Sequence, residues 1–139
     1  IFMQKTFLSY LIIFVSGLIY SAEMSLDISE KIDIYSDIIE IKENKIEFKN
    51  NVVFKSNSYE IFGQIAEYDR GMDQIKIKGS PVKFNIISEE NSFKGFSNII
   101  IINEDEITIS GDALLDSDSS RIRGEFVKFN ISSGELQIN

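Results

Sequence analysis

The 139-residue sequence contains no histidine, no cysteine and no tryptophan, and only one proline. Without histidine and cysteine it cannot build a histidine-based catalytic triad, a His/Cys zinc site, thiol chemistry or a c-type haem attachment. Basic residues are also scarce: 14 Lys and Arg stand against 22 Asp and Glu, a net charge of −8. Nucleic-acid binding needs a basic face, so the charge disfavours it. We therefore expect no enzymatic activity, no metal and no cofactor.

A single long uncharged stretch is present, at residues 7–20, after the lone basic residue Lys5. As a helix it would be about 21 Å long, shorter than the roughly 30 Å hydrocarbon core of a bilayer. A basic residue, a short apolar run and then small residues are typical of a secretory signal peptide. We predict a signal peptide over 1–21, cleaved after Ser21, with an uncleaved anchor as the alternative. The remaining domain, 22–139, has 13 basic and 22 acidic residues, a net charge of −9.

From Ile32 onward, apolar and polar residues alternate with period two in short stretches. The stretches are rich in Ile, Val and Phe, and Asn, Asp, Gly and Ser interrupt them. This pattern is typical of strands with one buried face, whereas no window of helical length shows a 3.6-residue stripe. The sequence therefore predicts an all-β domain. Because it lacks cysteine, its stability must come from burial and backbone pairing.

Two half-units recur four times along these strands. The first has the pattern h-x-h-x-s-x-x-h-x-h, in which h is mostly apolar and s is small. In its four copies the small residue is Ser36, Gly63, Ser97 or Gly124. The second half-unit, h-x-h-x-[GN], ends on Asn50, Gly79, Gly111 or Asn139.

The two residues that follow each small residue break the alternation, which predicts a β-bulge that bends the strand. Each repeat is then one strand, a tight turn, and a second strand that continues past a kink. Stacked repeats give a folded-over sheet with an apolar interior and a charged exterior. The chain stops part-way through its fourth repeat, which predicts an open edge that pairs with another chain by strand addition.

These repeats resemble the LptA or OstA-like family, the periplasmic bridge proteins of lipopolysaccharide export. The resemblance covers essentially all of 22–139. Its most telling pieces are Asn50-Asn51-Val52, Gly79-Ser80-Pro81, Ile109-Ser110-Gly111-Asp112-Ala113 and Arg121-Ile122-Arg123-Gly124. The sequence departs from the family in lacking the Lys-rich tail that some members carry.

The resemblance implies a V-shaped β-jellyroll whose interior groove holds the acyl chains of lipid A. It implies a periplasmic protein that stacks end to end and bridges the inner to the outer membrane during lipopolysaccharide transport. Its partners would be lipopolysaccharide, an LptC-like inner-membrane component and an LptD-like outer-membrane component. The residues expected to line the groove are Ile34, Ile39, Ile61, Tyr68, Phe84, Ile100, Ile102, Val127 and Phe129.

Two other functions fit the same sequence. One is the membrane-anchored LptC-like component of the same export system, which would keep its N-terminal helix. The other is a β-solenoid structural or adhesion module with a sealed core. Tyr59 and Tyr68, at inward positions, either contact acyl chains or pack with their hydroxyls at the rim.

Three sets of charged residues also have two interpretations each. Arg121 and Arg123 either meet lipid phosphates at the groove mouth or lie on a solvated strand face. The acidic run 104–106 is either a paired-carboxylate site or a solvated turn, and we favour the turn. A calcium site or a plain turn would use the same three acidic residues, Asp112, Asp116 and Asp118.

Overall fold

The computed structural model describes residues 22–28, 30–87 and 92–139, so the predicted signal peptide lies outside the described residues. The strands are β1 (Ala22–Ile28), β2 (Glu30–Ser36), β3 (Ile38–Ile41), β4 (Lys45–Lys55), β5 (Tyr59–Asp69), β6 (Gln74–Ile87), β7 (Ser92–Ile102), β8 (Glu106–Asp116), β9 (Arg121–Asn130) and β10 (Leu136–Ile138). The all-β prediction is confirmed. No helix long and apolar enough to cross a membrane is found in the described part of the chain.

All ten strands belong to one antiparallel sheet with the order β1-β2-β4-β5-β6-β7-β8-β9-β10, and β3 pairs with β4. Strands joined by tight turns lie side by side and run in opposite directions, as hairpin connections allow. The coils of a parallel β-helix would instead stack strands in parallel. The sheet is therefore a meander and not a β-solenoid.

Strand β1 was not predicted, because the sequence analysis began the strands at Ile32. The structure shows Met24, Leu26 and Ile28 buried in alternation with more exposed polar residues. Met24 lies opposite Ile34 of β2, so the alternation of β1 continues the inner face of the sheet by one strand.

The alternation breaks where predicted, and the strand register shifts at Gly63, Ser97 and Gly124. The extra residue of each bulge lies in the neighbouring strand: beside Gly63, residues 50 and 51 of β4 lie opposite Gln64 alone. In the first copy the break at Asp37 separates β2 from β3. A bulge of this kind bends its strand and restores the inward direction of the apolar side chains.

Strands β4 and β8 each bend at two consecutive residues in the left-handed backbone region. These pairs are Asn50 (φ 65°) with Asn51 (φ 53°), and Gly111 (φ 79°) with Asp112 (φ 50°). Asn, Asp and Gly tolerate this region better than other residues. In two of its four copies, the residue that closes the second half-unit therefore marks a left-handed bend of the strand.

The bends divide the sheet into two layers. The upper layer comprises residues 22–28, 30–36, 52–55, 59–63, 82–87, 92–97, 113–116 and 121–124. The lower layer comprises residues 38–41, 45–49, 65–69, 74–78, 99–102, 106–110, 126–130 and 136–138. On the side away from the bend, each layer ends in a set of turns. We call this end of a layer its rim.

The two layers fold onto each other, as the ring pair Phe48–Phe54 of β4 shows. Six residues along a straight strand span about 20 Å. The two ring centroids are only 5.7 Å apart, in an edge-to-face arrangement. The strand therefore doubles back at its bend, and the inner faces of the two layers form a single apolar interior.

The outer face carries cross-strand ion pairs, such as Lys49 with Glu40 at 2.9 Å and Lys42 with Glu47 at 3.1 Å. The hydrogen bond and the charge of Lys49 lower the pKa of the Glu40 carboxyl. Exposed pairs of this kind add little to stability. Their contribution is mainly to keep the outer face hydrated.

Candidate functional site

Three of the side-chain rows that build the apolar interior cross the whole sheet. The upper row is Met24, Ile34, Phe54, Ile61, Phe84, Gly95, Leu115 and Ile122. The lower bend row is Ile39, Phe48, Ala66, Ile77, Ile100, Ile109, Val127 and Ile138. The lower rim row is Ile41, Ile46, Tyr68, Ile75, Ile102, Ile107, Phe129 and Leu136.

The nine residues predicted to line a groove all lie in these rows, three in each. The upper row holds Ile34, Ile61 and Phe84. The lower bend row holds Ile39, Ile100 and Val127, and the lower rim row holds Tyr68, Ile102 and Phe129. All nine are buried, from Ile34 at 0% to Tyr68 at 8% exposed. The interior in this structure is closely packed, so a ligand would have to separate the layers.

The rows reach the edge of the sheet at β9 and β10. Their last members, Ile122 and Leu136, are half-buried, and Ile138 is 46% exposed. Among the described strands, β10 and the first half of β9 each have a partner on one side only. The same holds for β1 and β3 at the opposite edge. Within the described residues, the apolar interior is thus continuous between two edge strands that have no partner on their outer side.

Tyr59 and Tyr68 mark the two rims of β5. Tyr68 donates its hydroxyl proton to Asp73 Oδ1 at 2.7 Å, at the lower rim. Tyr59 begins the strand at the upper rim and is 1% exposed. Both rings point inward, as the sequence pattern predicted. The Tyr68 hydroxyl has a hydrogen-bond partner, whereas the Tyr59 hydroxyl has none.

The charged candidates lie outside the interior. Arg121 makes a two-contact ion pair with Asp116, at 2.8 and 3.4 Å, which raises the pKa of the Arg121 guanidinium. Arg123 is exposed on the outer face of β9. Both lie on the upper layer at the open edge of β9, so they face solvent beside the interior and not within it.

The acidic candidates do not converge. Asp112 lies at the bend of β8, four residues from Asp116, and that spacing spans about 13 Å in a strand. Asn103 accepts hydrogen bonds from the backbone N–H groups of Asp105 and Glu106 and so closes the turn of the acidic run. No cluster of three possible acidic or histidine metal ligands is found within the described ranges.

The outer face of the upper layer carries a mostly apolar row that the sequence pattern did not predict. Its members, opposite one another across the strands, are Tyr35, Val53, Phe62, Lys83, Phe96, Leu114 and Arg123. Phe62 is 37% and Phe96 is 42% exposed, and a surface pocket of about 350 Å³ lies between them. The only sequence signal is an aromatic residue where the alternation calls for a polar one.

Comparison with known proteins supports the fold. No protein-family model and no curated protein sequence matches this chain. The structure is similar to the crystal structure of LptH, described as the LptA homologous periplasmic component of the lipopolysaccharide transport device of Pseudomonas aeruginosa. The TM-score is 0.69 over 81% of this chain and 85% of LptH, at 13% sequence identity. The likeness therefore lies in the fold: this chain has the β-jellyroll fold of an LptA homologue, as the family resemblance implied.

Proposed function

We propose that this protein is a periplasmic lipopolysaccharide-binding protein that shelters lipid A acyl chains and bridges the inner to the outer membrane. One observation carries the proposal: three inward rows, apolar at every position but Gly95, cross the sheet between two edge strands that have no described partner on their outer side. A second subunit that adds a strand at such an edge would extend the same rows. The partners in this proposal are LptC-like and LptD-like components and further copies of the chain itself.

The energetics favour a passive carrier. Each CH₂ group left in water costs about 0.8 kcal/mol. Moving an acyl chain of about twelve carbons from water into an apolar site therefore gains on the order of 10 kcal/mol of free energy. A groove that repeats through equivalent subunits would let a lipid move between sites of equal free energy. Such transport needs no catalytic group in the carrier.

Lipid entry requires the two layers to move apart. Strand pairing runs within each layer and through the bends, and the rows of the two layers meet through side-chain packing such as Phe48 against Phe54. Separating the layers therefore leaves the backbone hydrogen bonds intact. The apolar surface exposed by this separation would be covered again by acyl chains.

Site-specific photocrosslinking tests the proposal. A photoreactive residue at Ile102 or Phe129, both buried in the lower rim row, is expected to form a lipopolysaccharide adduct in an exporting cell. The matched controls are the next outward positions, Ile101 and Lys128, which lie on the lower layer, away from the outer pocket of the upper layer. Equal adducts at inward and outward positions, or none at all, would remove the support for an interior lipid site.

Association through the β10 edge gives a second prediction. Ile138→Lys should weaken concentration-dependent oligomers by about tenfold, because it places a charge on the apolar end of a row at an open strand. Ile87→Lys is the control, since Ile87 is 55% exposed and lies on the central strand β6. Analytical ultracentrifugation over a range of concentrations measures the effect. A wild-type protein that stays monomeric at high concentration would contradict end-to-end pairing.

The N-terminal segment is part of the same proposal. We propose that residues 1–21 direct export and are removed after Ser21. N-terminal sequencing of the protein from a periplasmic extract should then begin at Ala22. A membrane-bound product that keeps the segment would instead support the anchored LptC-like component.

A further inference from the structure

The hydroxyl group of Tyr59 is buried without a hydrogen-bond partner. In the part of the chain that the structure describes, it is the one buried side-chain polar atom in this condition. Burying a hydroxyl without a partner costs free energy, and native structures rarely leave one so. An unpaired donor at the end of a mostly apolar interior therefore needs an explanation.

The polar groups near Tyr59 are occupied with one another. Ser56 donates its hydroxyl proton to Glu30 Oε1, and Ser58 donates to Glu30 Oε2 at 3.0 Å. The backbone N–H of Ser58 also donates to Glu30, at 3.1 Å. Burial raises the pKa of the Tyr59 hydroxyl, a hydrogen-bonding contact with the Ser56 side chain lowers it, and the charge of Glu30 raises it further. The contact with Ser56 lacks the geometry of a full hydrogen bond, so the hydroxyl has no full partner. The Tyr59 hydroxyl thus stays protonated and has a proton to donate.

Its position is the upper rim of the interior. Tyr59 is the first residue of β5, directly after the turn 56–58, and lies opposite Ile86. Ile86 in turn lies opposite Phe93, so the ring belongs to an inward apolar row at the upper rim. An acyl chain that enters the interior at this rim, with its headgroup left in water, would pass the Tyr59 ring.

The first polar group of an acyl chain below its headgroup is the carbonyl of its ester or amide linkage. We infer that Tyr59 is a ligand-binding residue whose hydroxyl donates a hydrogen bond to this carbonyl when an acyl chain occupies the interior. The inference rests on the proposed function and names a contact within that site. It explains why a buried donor is retained: its partner arrives with the ligand, since a carbonyl can only accept.

The test combines a protein change with a ligand change. The protein change is Tyr59→Phe, which removes only the hydroxyl. The ligands are 1-palmitoyl-lysophosphatidylcholine, which has an ester carbonyl, and 1-O-hexadecyl-lysophosphatidylcholine, whose ether linkage has none. Both are titrated as monomers against a fluorescent fatty-acid probe bound to the full chain. Wild-type protein should prefer the ester by about three- to tenfold, and Tyr59→Phe should bind both ligands as weakly as wild type binds the ether.

Tyr35→Phe is the matched control, because Tyr35 lies on the outer face and is 38% exposed; it should keep the ester preference. In the free protein, Tyr59→Phe should unfold at the wild-type temperature or above it, since an unpaired buried hydroxyl is lost. A retained ester preference in Tyr59→Phe, or a lowered unfolding temperature, would overturn the inference while leaving the proposed function in place. Failure of wild type to bind either lysolipid would instead count against the proposed function, and with it this contact.

Discussion

Replacing Ile100 by aspartate is expected to unfold the domain, whereas the same replacement at the adjacent Ile101 should leave it folded. Ile100 is 0% exposed and lies between Ile77 and Ile109 in the lower bend row. The variant loses a fully buried aliphatic side chain and places a carboxyl group among apolar neighbours. The two losses together amount to about 4 kcal/mol or more, which approaches the whole stability of a small domain.

Ile101 provides a close control because it points to the outer face. Its strand partners there are Lys76 and Thr108, so an aspartate would gain a basic neighbour. Lys128→Asp, also on the outer face, should likewise remain folded. Circular dichroism and thermal unfolding of the purified variants measure the contrast. Equal behaviour of the Ile100 and Ile101 variants would show that the assigned facing of β7 is wrong.

Much of this architecture could be predicted because two simple rules act on each strand. Period-two alternation determines which face a side chain takes, and a small residue determines where the strand bends. These rules alone placed residues as far apart in sequence as Ile39 and Phe129 in the interior. They also located the bends at Gly63 and Gly124, although the extra residues of the bulges lie in the neighbouring strands β4 and β8.

What could not be predicted depends on which residues lie opposite one another. The rows depend on the register between neighbouring strands. The alternation within a single strand does not reveal that register. Strand β1 was missed because its short alternation directly follows the predicted signal peptide. Phe62 and Phe96 take outward positions that composition alone would assign to the interior. The unpaired hydroxyl of Tyr59 becomes visible only when Ser56 and Glu30 are seen to bind each other.

The second large prediction concerns Gly95, which the strand register places in the upper row of the interior. The repeat calls for an apolar side chain there, and the upper row instead has a glycine between Phe84 and Leu115. A Cβ atom on Gly95 would lie 1.7 Å from the Leu114 carbonyl oxygen and 2.8 Å from the Leu114 carbonyl carbon. It would also lie 3.1 Å from Phe84 Cζ. The absent side chain therefore allows β8 to approach β7 closely.

Gly95→Ala should destabilise the protein by about 3 kcal/mol or more, the upper end of what overpacking costs. A side chain could rotate away from the new methyl group, but the carbonyl of Leu114 belongs to the backbone of β8. To make room, β7 and β8 must separate near the bend, and the pairs formed by Lys94 and Phe96 are lost with them. Chemical denaturation should show an earlier midpoint, while the spectrum of any folded fraction stays all-β.

Gly71→Ala is the matched control, because Gly71 lies in the β5–β6 turn and its nearest atom to a new Cβ is Asp69 Oδ1, at 3.4 Å. Its backbone N–H donates to the same Asp69 oxygen, and alanine keeps that bond. The control should therefore unfold close to wild type. If Gly95→Ala did the same, β7 and β8 would not approach as closely in solution as the structure has them. If only Gly95→Ala is destabilised, the glycine is needed to pair the two strands that carry Ile100 and Ile109 of the lower bend row.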